Sequence, residues 1–470
     1  MSGAVATGRP AGEVVWLVLA DPLSTRVLLE AGVADRLASA LGKRLQPVFL
    51  LDPAAVAPWA ARIEGARPAL RHADVVPPGA PLPEVALRRL DRWLDRRLGY
   101  YPLAIRLNHR HGFHRERMAP GHRNELLDST RVGPLPRGER FDRLMTRWHF
   151  SPRRHVSRAL MRRLEADRPL LVLSNLQMQS AVPFILGAQR LGLPLVGNVA
   201  SWDHTVGKGV IHPGLDRYLV QNARMRDDLV AYHGVPRERI VVTGWPQSDV
   251  LARPRPREAF DAIVRGYGLD PALPVVLVMG NTPTNTPTEG RFFARLVTWW
   301  RESGADGRMQ LLFRPHPRDR QWQERFAPAL EGSGLAVQEP SFTDIEQLAT
   351  LLQHGACVVT NAGTILLDAL VNDRPAVCVL YDEGGSSGPD AWAAKSVIGE
   401  HYRDVAMSGA FHEARSFDEV VAGIERSLAA PDELRSQREA VVATVVGAVD
   451  GHAADRVAAA VLELAPGEAR

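Results

Sequence analysis

Short apolar runs separated by polar turns and amphipathic stretches recur along most of this chain, the pattern that predicts strands and helices alternating in parallel sheets. Residues 14–20 predict the first strand, Asp21-Pro22-Leu23-Ser24 a turn with Ser24 as helix N-cap, 25–42 a helix from the leucine spacing, and 47–51 the next strand. The alternation then breaks off and resumes at Pro169, with strands over 170–173, 195–199, 217–220 and 240–243 and helices over 181–191 and 223–232. A second set follows. Its strands are predicted over 275–279, 310–313, 336–338, 357–360 and 376–380, its helices over 292–301, 322–330, 345–352 and 364–371. Phe292, Phe293, Leu296, Val297 and Trp300 fall on one face of period 3.6, which predicts the first of these helices. The last hundred residues predict mainly helix, over 417–429 and 453–464.

Two successive α/β sets imply an α/β protein of two Rossmann-like parallel-sheet domains. Ala252-Arg253-Pro254-Arg255-Pro256-Arg257 marks the linker, because its prolines forbid a continuous helix. The expected domains are 1–251, with an arginine-rich helical insertion over about 77–168, then a linker over 252–258, a second domain over 259–435, and C-terminal helices over 436–470 that cross back to the first domain. Such sheets present ligands outside the carboxyl ends of their strands, here expected in a central cleft that both domains face.

Charge sharpens this picture. The chain carries a formal net +4, yet residues 85–168 alone hold 21 Arg, no Lys and 9 acidic residues, a net +12 that leaves −8 for the rest. Helices are predicted there over 85–98 and 141–164. A segment so basic attracts phosphates, whether of a lipid surface, a nucleic acid or a diphosphate-linked substrate. Only three lysines (Lys43, Lys208, Lys395) occur in 470 residues, so arginine dominance reflects codon usage and no nucleic-acid partner is expected. The apolar run 14–20 is far below the ~20 residues of a membrane span, and no basic segment with a small-residue cleavage site frames it. A cytoplasmic location is expected, with peripheral contact at the inner membrane face through the basic segment. Cys357 and Cys378 lie in apolar runs and are read as small core residues.

The residues that suggest chemistry sit just after predicted strands. Arg314-Pro315-His316-Pro317 follows the strand 310–313, and its prolines stiffen a loop in which Arg314 offers a fork of donors to a diphosphate and His316 a hydrogen bond or proton near neutral pH. Asn361-Ala362-Gly363-Thr364 opens the helix that contains Asp368. Small residues at a helix N-terminus let backbone N–H groups approach an anion, and Asp368 is placed to reach a ribose hydroxyl. In the first set, Ser201-Trp202-Asp203-His204-Thr205-Val206-Gly207-Lys208-Gly209 brings a carboxylate, an imidazole, an amine and an indole onto one loop. Asp203 or His204 is a candidate general base for an acceptor hydroxyl, with Trp202 at the acceptor and Lys208 at a phosphate. Asn281 and Thr282, in a loop rich in hydroxyl and amide groups, suit phosphate or sugar oxygens, and Asp382 and Glu383 suit sugar hydroxyls.

Other patterns point away from their usual meaning. His109-x-His111-x-x-His114 has metal-like spacing, but Arg106, Arg110, Arg115 and Arg117 would repel a cation, so Arg106 and Arg110 are assigned to an anion-facing surface and no metal is expected. The chain holds no P-loop and no Gly-x-Gly-x-x-Gly fingerprint, and no cofactor is expected. Without an Asp-x-Asp pair, neutralisation of a diphosphate falls to Arg, Lys and helix dipoles.

Across roughly residues 195–380, the segments Trp202…Thr205…Lys208-Gly209, Val242-Thr243-Gly244-Trp245-Pro246-Gln247-Ser248-Asp249, Arg314-Pro315-His316-Pro317 and 361–368 resemble the two-domain GT-B transferases. The nearest branch is that of the CDP-glycerol glycerophosphotransferases and related surface-polysaccharide glycosyltransferases. The resemblance implies that the Gly-x-Pro-x-x-Asp segment closes an acceptor domain. It also implies that the Arg-Pro-His-Pro loop and the small-residue turn bind the donor's pyrophosphate on the second domain. Glycerophosphotransferases carry Trp-His-Gly where this chain has Trp202-Asp203-His204, which turns the expectation toward Asp203 as a base for direct sugar transfer. Where the retaining members carry their Glu-x7-Glu signature this chain has the region of Asn361 and Asp368, which favours inversion.

The expectation is thus a metal-independent glycosyltransferase that uses a nucleotide-diphosphate sugar (UDP first, then GDP or CDP) and a hydroxyl acceptor, in polysaccharide, glycolipid or natural-product biosynthesis. The alternatives are a CDP-polyol polyolphosphotransferase, a nucleotide-sugar 2-epimerase on the same fold, and a non-catalytic polyanion-binding protein.

Overall fold

The structure, a computed structural model, describes residues 11–50, 57, 75, 156–176, 180–207, 211–283, 285–342, 344–385, 391–395, 397 and 400–465. Arg106, Arg110, Lys208, the His109–His114 triplet and most of the arginine-rich segment, including the predicted helix 85–98, lie outside the described residues. Described residues up to Gln247, together with those from His452, form one compact unit, and Ser248–Gly451 form the other.

The first unit is built on six strands, β1 (Val15–Leu19), β2 (Leu45–Phe49), β3 (Leu170–Ser174), β4 (Leu195–Asn198), β5 (Arg217–Val220) and β6 (Ile240–Val242), in the order β2-β1-β3-β4-β5-β6. Every neighbouring pair is parallel, with Val15 opposite both Leu45 and Leu170. Successive residues of a strand point to opposite faces, so a strand covered on both sides reads as a continuous apolar run. Trp16 and Val18 pack against Leu160 and Leu164 of α2 (Arg158–Asp167), Phe184 and Ile185 of α3 (Val182–Leu191) and Leu229 of α4 (Ala223–His233). Val15, Leu17 and Leu19 instead face Val33, Leu37 and Leu41 of α1 (Val33–Leu41) and Ala454, Val457 and Val461 of the final helix, Ala453–Leu462. That helix is pinned by an Arg36–Asp455 ion pair and by Arg456 Nε donating to the Thr243 carbonyl at 2.6 Å.

The stretch after β1 departs from the expected single helix capped by Ser24. Asp21 is the cap, its Oδ1 accepting from the Leu23 and Ser24 amides at 2.9 and 3.1 Å, while Ser24 Oγ donates to Oδ2 at 2.8 Å. A charged acceptor one residue before Pro22, which sits at the first helical position, makes the stronger start. A turn of π-helix over Arg26–Glu30 follows, and Gly32, at φ 79°, separates it from α1.

The second unit repeats the plan with β7 (Val275–Met279), β8 (Gln310–Arg314), β9 (Ala336–Val337), β10 (Cys357–Thr360), β11 (Ala376–Val379) and β12 (His412–Ala414), ordered β12-β11-β10-β7-β8-β9 and again all parallel. Its helices include α5 (Arg257–Gly266), α6 (Glu289–Glu302), α7 (Trp322–Leu330), α8 (Ile345–His354), α9 (Thr364–Val371) and α10 (Phe417–Ala429). Phe293, Phe313 and Phe326 meet beneath β8 with ring centroids 4.2–5.7 Å apart. Cys357 and Cys378 are buried, free thiols. β12 is the strand that periodicity does not show: three residues long, two of them polar, it exists through its pairing with β11, His412 opposite Val377. Among the described residues no helix is long and apolar enough to cross a membrane.

Candidate functional site

In the second unit the strand order reverses between β7 and β10, and open parallel sheets bind ligands outside the carboxyl ends of strands at such a reversal. The residues leaving these two strands are Gly280-Asn281 and Asn361-Ala362-Gly363. Thr360 Oγ1 donates to the Met279 carbonyl at 3.0 Å, and Asn361 Nδ2 to the Val379 carbonyl at 2.9 Å, so both side chains fasten strand ends. Gly363 stands at the N-cap of α9, and a side chain there would meet Asn281 Nδ2 at 4.0 Å. The two loops therefore lie side by side. Thr364 is exposed at the first turn of α9, and Asp368 is buried to 2% on the second.

Gly280 also touches the loop after β8, its amide donating to the Arg314 carbonyl at 2.9 Å. Arg314 is 5% exposed, and its fork is already held: Nη1 and Nη2 bond Asp344 at 2.5 and 2.8 Å, and Nη2 also donates to the Ser341 carbonyl at 3.0 Å. The guanidinium expected to face a diphosphate is thus joined to the residue that precedes α8. His316 stands differently. Its Nδ1 accepts from the Arg318 amide at 3.0 Å, so in the neutral ring Nε2 carries the proton and is the donor left over. Burial lowers the His316 pKa to about 4, helped by the charge of Arg318, with Asp319 opposing and Arg314 and Arg325 contributing less. The ring is therefore a neutral donor at physiological pH. Arg318 and Arg320, on the same loop, are exposed.

Beneath these loops lies a cluster that sequence reading missed. Glu289, at the start of α6, accepts the Asn281 amide on both oxygens at 3.0 Å. Arg325 of α7 donates to the Asn281 carbonyl at 3.0 Å, the Thr286 carbonyl at 2.7 Å, Glu289 at 2.6 Å and the Asp319 carboxylate. Burial raises the Glu289 pKa to about 7, against the opposing pull of Arg325. The Arg325 carbonyl would lie 2.2 Å from a side-chain carbon on Gly290, so only glycine lets α6 and α7 approach this closely. Asn281 Oδ1 accepts from the Thr282 amide at 2.7 Å and from Asn285 Nδ2 at 3.3 Å, which leaves its Nδ2 beside Gly363. The Thr282 carbonyl in turn accepts the Asn285 and Thr286 amides, both at 3.0 Å, closing the loop on itself.

The carboxylates after β11 are engaged in structure. Asp382 caps the turn Trp392–Lys395, accepting the Trp392 and Ala393 amides at 2.7 and 3.2 Å. Glu383 pairs with Arg295 at 2.9 Å and accepts from the Tyr381 hydroxyl at 3.0 Å.

In the first unit, Trp202, Asp203 and His204 follow β4 on a loop that enters the short turn His204–Gly207. Trp202 and His204 are buried. Ser201 Oγ donates to Asp203 Oδ1 at 2.5 Å, and His204 Nε2 lies 4.0 Å from the same oxygen. Thr205 Oγ1 donates to Asp228 at 2.8 Å. His233, 3% exposed at the end of α4, closes the loop from beneath: Nδ1 accepts the Ile211 amide at 2.8 Å and Nε2 donates to the Thr205 carbonyl at 2.7 Å. Burial lowers its pKa to about 4, only partly offset by the Thr205 bond. Neither His233 nor the Glu289–Arg325–Asp319 cluster has a local sequence signal. The one available hint is a charged or imidazole residue placed on an otherwise core-facing turn.

The family model of CDP-glycerol:poly(glycerophosphate) glycerophosphotransferase matches residues 201–463. Among solved structures, S. aureus MnaA with UDP is similar over 94% of each chain, at 12% identity and a TM-score of 0.52. The wall teichoic acid polymerase TagF aligns with 69% of this chain and 84% of its own, at 13% identity and 0.47. The UDP-GlcNAc 2-epimerase from Neisseria meningitidis bound to UDP-GlcNAc aligns over 96% and 99%, at 9% identity and 0.49. The first likeness is one of fold, two parallel-sheet units of the GT-B kind. No curated protein matches the chain.

Proposed function

The chain belongs to the CDP-glycerol:poly(glycerophosphate) glycerophosphotransferase family, and on that premise we propose that this transferase-type enzyme moves a sugar from a nucleotide-diphosphate sugar to a hydroxyl acceptor with inversion. The observation that carries the donor half is His316, a neutral ring with its proton on Nε2, at the carboxyl end of β8 beside the β7–β10 reversal. Its N–H suits the oxygen on which charge develops as the sugar leaves the diphosphate. Asn281 Nδ2, the exposed Thr364 turn of α9 and the exposed Arg318 and Arg320 suit the remaining phosphate oxygens. Arg314 acts from behind as a strut, and Asn361, Asp368, Asp382 and Glu383 shape the surrounding loops.

The acceptor half is assigned to Asp203. A carboxylate oriented by Ser201 takes the proton of the acceptor hydroxyl as its oxygen attacks the anomeric carbon, and the bond from that carbon to the diphosphate breaks with its electron pair. His204, 4.0 Å away, is the other candidate for the same proton. Lys208 and the arginine-rich segment are assigned to acceptor-side or membrane phosphates, and metal independence stays an expectation from the missing Asp-x-Asp pair.

The family match favours a second reading, transfer of a polyol phosphate from a CDP donor. Product analysis separates the two, because a phosphodiester product would refute sugar transfer. The donor site itself is tested by thermal shift with UDP, GDP, CDP, ADP and TDP, with and without magnesium, on the wild type and His316→Ala. A ligand at 100 times its Kd adds ~2.7 kcal/mol to the folded state. One diphosphate is expected to stabilise the wild type without magnesium and to stabilise the variant less. Stabilisation by polyanions and by no nucleotide would overturn the assignment.

A further inference from the structure

Two of the loops assigned to the donor are not independent of each other. The Asn281–Thr286 segment follows β7 and the His316–Asp319 segment follows β8, and one guanidinium bonds both. Arg325 reaches the carbonyls of Asn281 and Thr286 in the first and the carboxylate of Asp319 in the second. It also reaches Glu289, which holds the Asn281 amide from the other side. Asn281 is thereby fixed at both of its peptide groups, the one before it through N–H and the one after it through C=O. The Asp319 amide donates to the His316 carbonyl at 2.8 Å, and Asp319 Oδ1 accepts from the Gln321 amide at 3.1 Å, so a pull on Asp319 is a pull on the His316 turn. Four acceptors converge on two nitrogens, a task suited to a planar fork of fixed N–H directions and not to a single ammonium. Gly290 is part of the same device, since the close passage of α6 and α7 brings Arg325 to the loops.

We propose that Arg325 is a positioning residue of the donor site, which sets the Asn281 amide group and the His316 ring at a fixed spacing for a diphosphate without touching the ligand itself. The proposal rests on the donor-site reading above. It gives Glu289 and Asp319 the role of counter-charges that hold the guanidinium in its one useful orientation.

The test compares the wild type with Arg325→Lys, Arg325→Met and Asp319→Asn by calorimetric titration with UDP, GDP, CDP, ADP and TDP, at a temperature where circular dichroism shows each protein folded. Melting temperatures are recorded in parallel. The expected result is roughly tenfold weaker nucleotide binding by Arg325→Met and an intermediate loss by Arg325→Lys, which keeps charge and loses the fork. A residue that only supports the fold would lower the melting temperature and leave the affinity of the folded protein unchanged, and that outcome overturns the proposal. Should Arg325→Met not fold, Asp319→Asn decides: it keeps the arginine, releases the His316 loop, and is expected to weaken binding severalfold, whereas unchanged binding overturns the proposal. Failure of the wild type to bind any of these nucleotides removes the donor-site reading and this inference with it. Binding by the wild type with equal affinity in the variants removes the inference alone.

Discussion

Substituting His233 by Gln tests whether the loop that carries Asp203 is held by a histidine obliged to stay neutral. His233 Nδ1 accepts the Ile211 amide while Nε2 donates to the Thr205 carbonyl, so a second proton would set one N–H against another. Burial takes the pKa from an ordinary 6.5 to about 4. At ~1.4 kcal/mol per pH unit, this difference has a limit of ~3.4 kcal/mol. Because the folded value lies below the unfolded one, the unfolded chain binds the extra proton first. The contribution is whole above pH 6.5 and is lost as the pH falls toward 4. Between about pH 7.5 and about pH 5 the loss amounts to ~2 kcal/mol. Urea unfolding of the wild type and His233→Gln at those two pH values provides the assay. The variant is expected to be less stable by ~1–3 kcal/mol at the higher pH, through its imperfect replacement of two buried hydrogen bonds. On acidification it should lose ~2 kcal/mol less than the wild type. His316 and Glu289 titrate alike in both proteins and cancel from the comparison. An equal loss in the two proteins would refute the clamp.

Asp344→Ala should destabilise the protein by ~3–5 kcal/mol, because it leaves the Arg314 guanidinium buried without its partner; the shift in urea midpoint measures this. Gly290→Ala forces a carbon against the Arg325 carbonyl, and a loss of ~1–3 kcal/mol is expected in the same assay. Asp203→Asn should lower kcat by ~10²–10⁴ while donor affinity, read by calorimetry, stays at the wild-type value. A kcat that holds would transfer the base role to His204.

Much of the architecture can be read from periodicity, because strands buried on both faces must be apolar throughout. The predicted strands over 217–220, 275–279 and 357–360 coincide with β5, β7 and β10 to the residue. Periodicity is silent where a strand is short and polar, as at β12, or where a glycine of positive φ breaks a leucine pattern, as at Gly32. The loops bearing Asn281, His316 and Gly363 were visible because strand ends present ligands. Their supports were not. Arg314 pairs with a residue 30 positions later and Arg325 with one 36 positions earlier, distances at which sequence spacing carries no geometric information. For the same reason Arg314 reads in the sequence as a free fork, and only its burial beside Asp344 makes it a strut. Asp382 and Glu383 read as carboxylates suited to sugar hydroxyls, but the Trp392 turn and Arg295 that engage them approach in a way no local pattern records.

The final helix bears on the order in which the molecule is made. Val457 and Val461 belong to the core formed by Val15, Leu17 and Leu37, so a chain emerging from the ribosome finishes covering one face of its first sheet only after the second unit has been made. The residues of the second unit, 248–451, can all collapse before that helix is synthesised, whereas the face of β1 that it covers waits through more than four hundred residues of elongation. At ~5–20 residues per second, the first unit spends tens of seconds with an uncovered apolar face. The nascent first unit, although translated before the second, keeps part of one apolar face bare during that interval, and loss of the helix Ala453–Leu462 would damage a sheet built from residues 15–242.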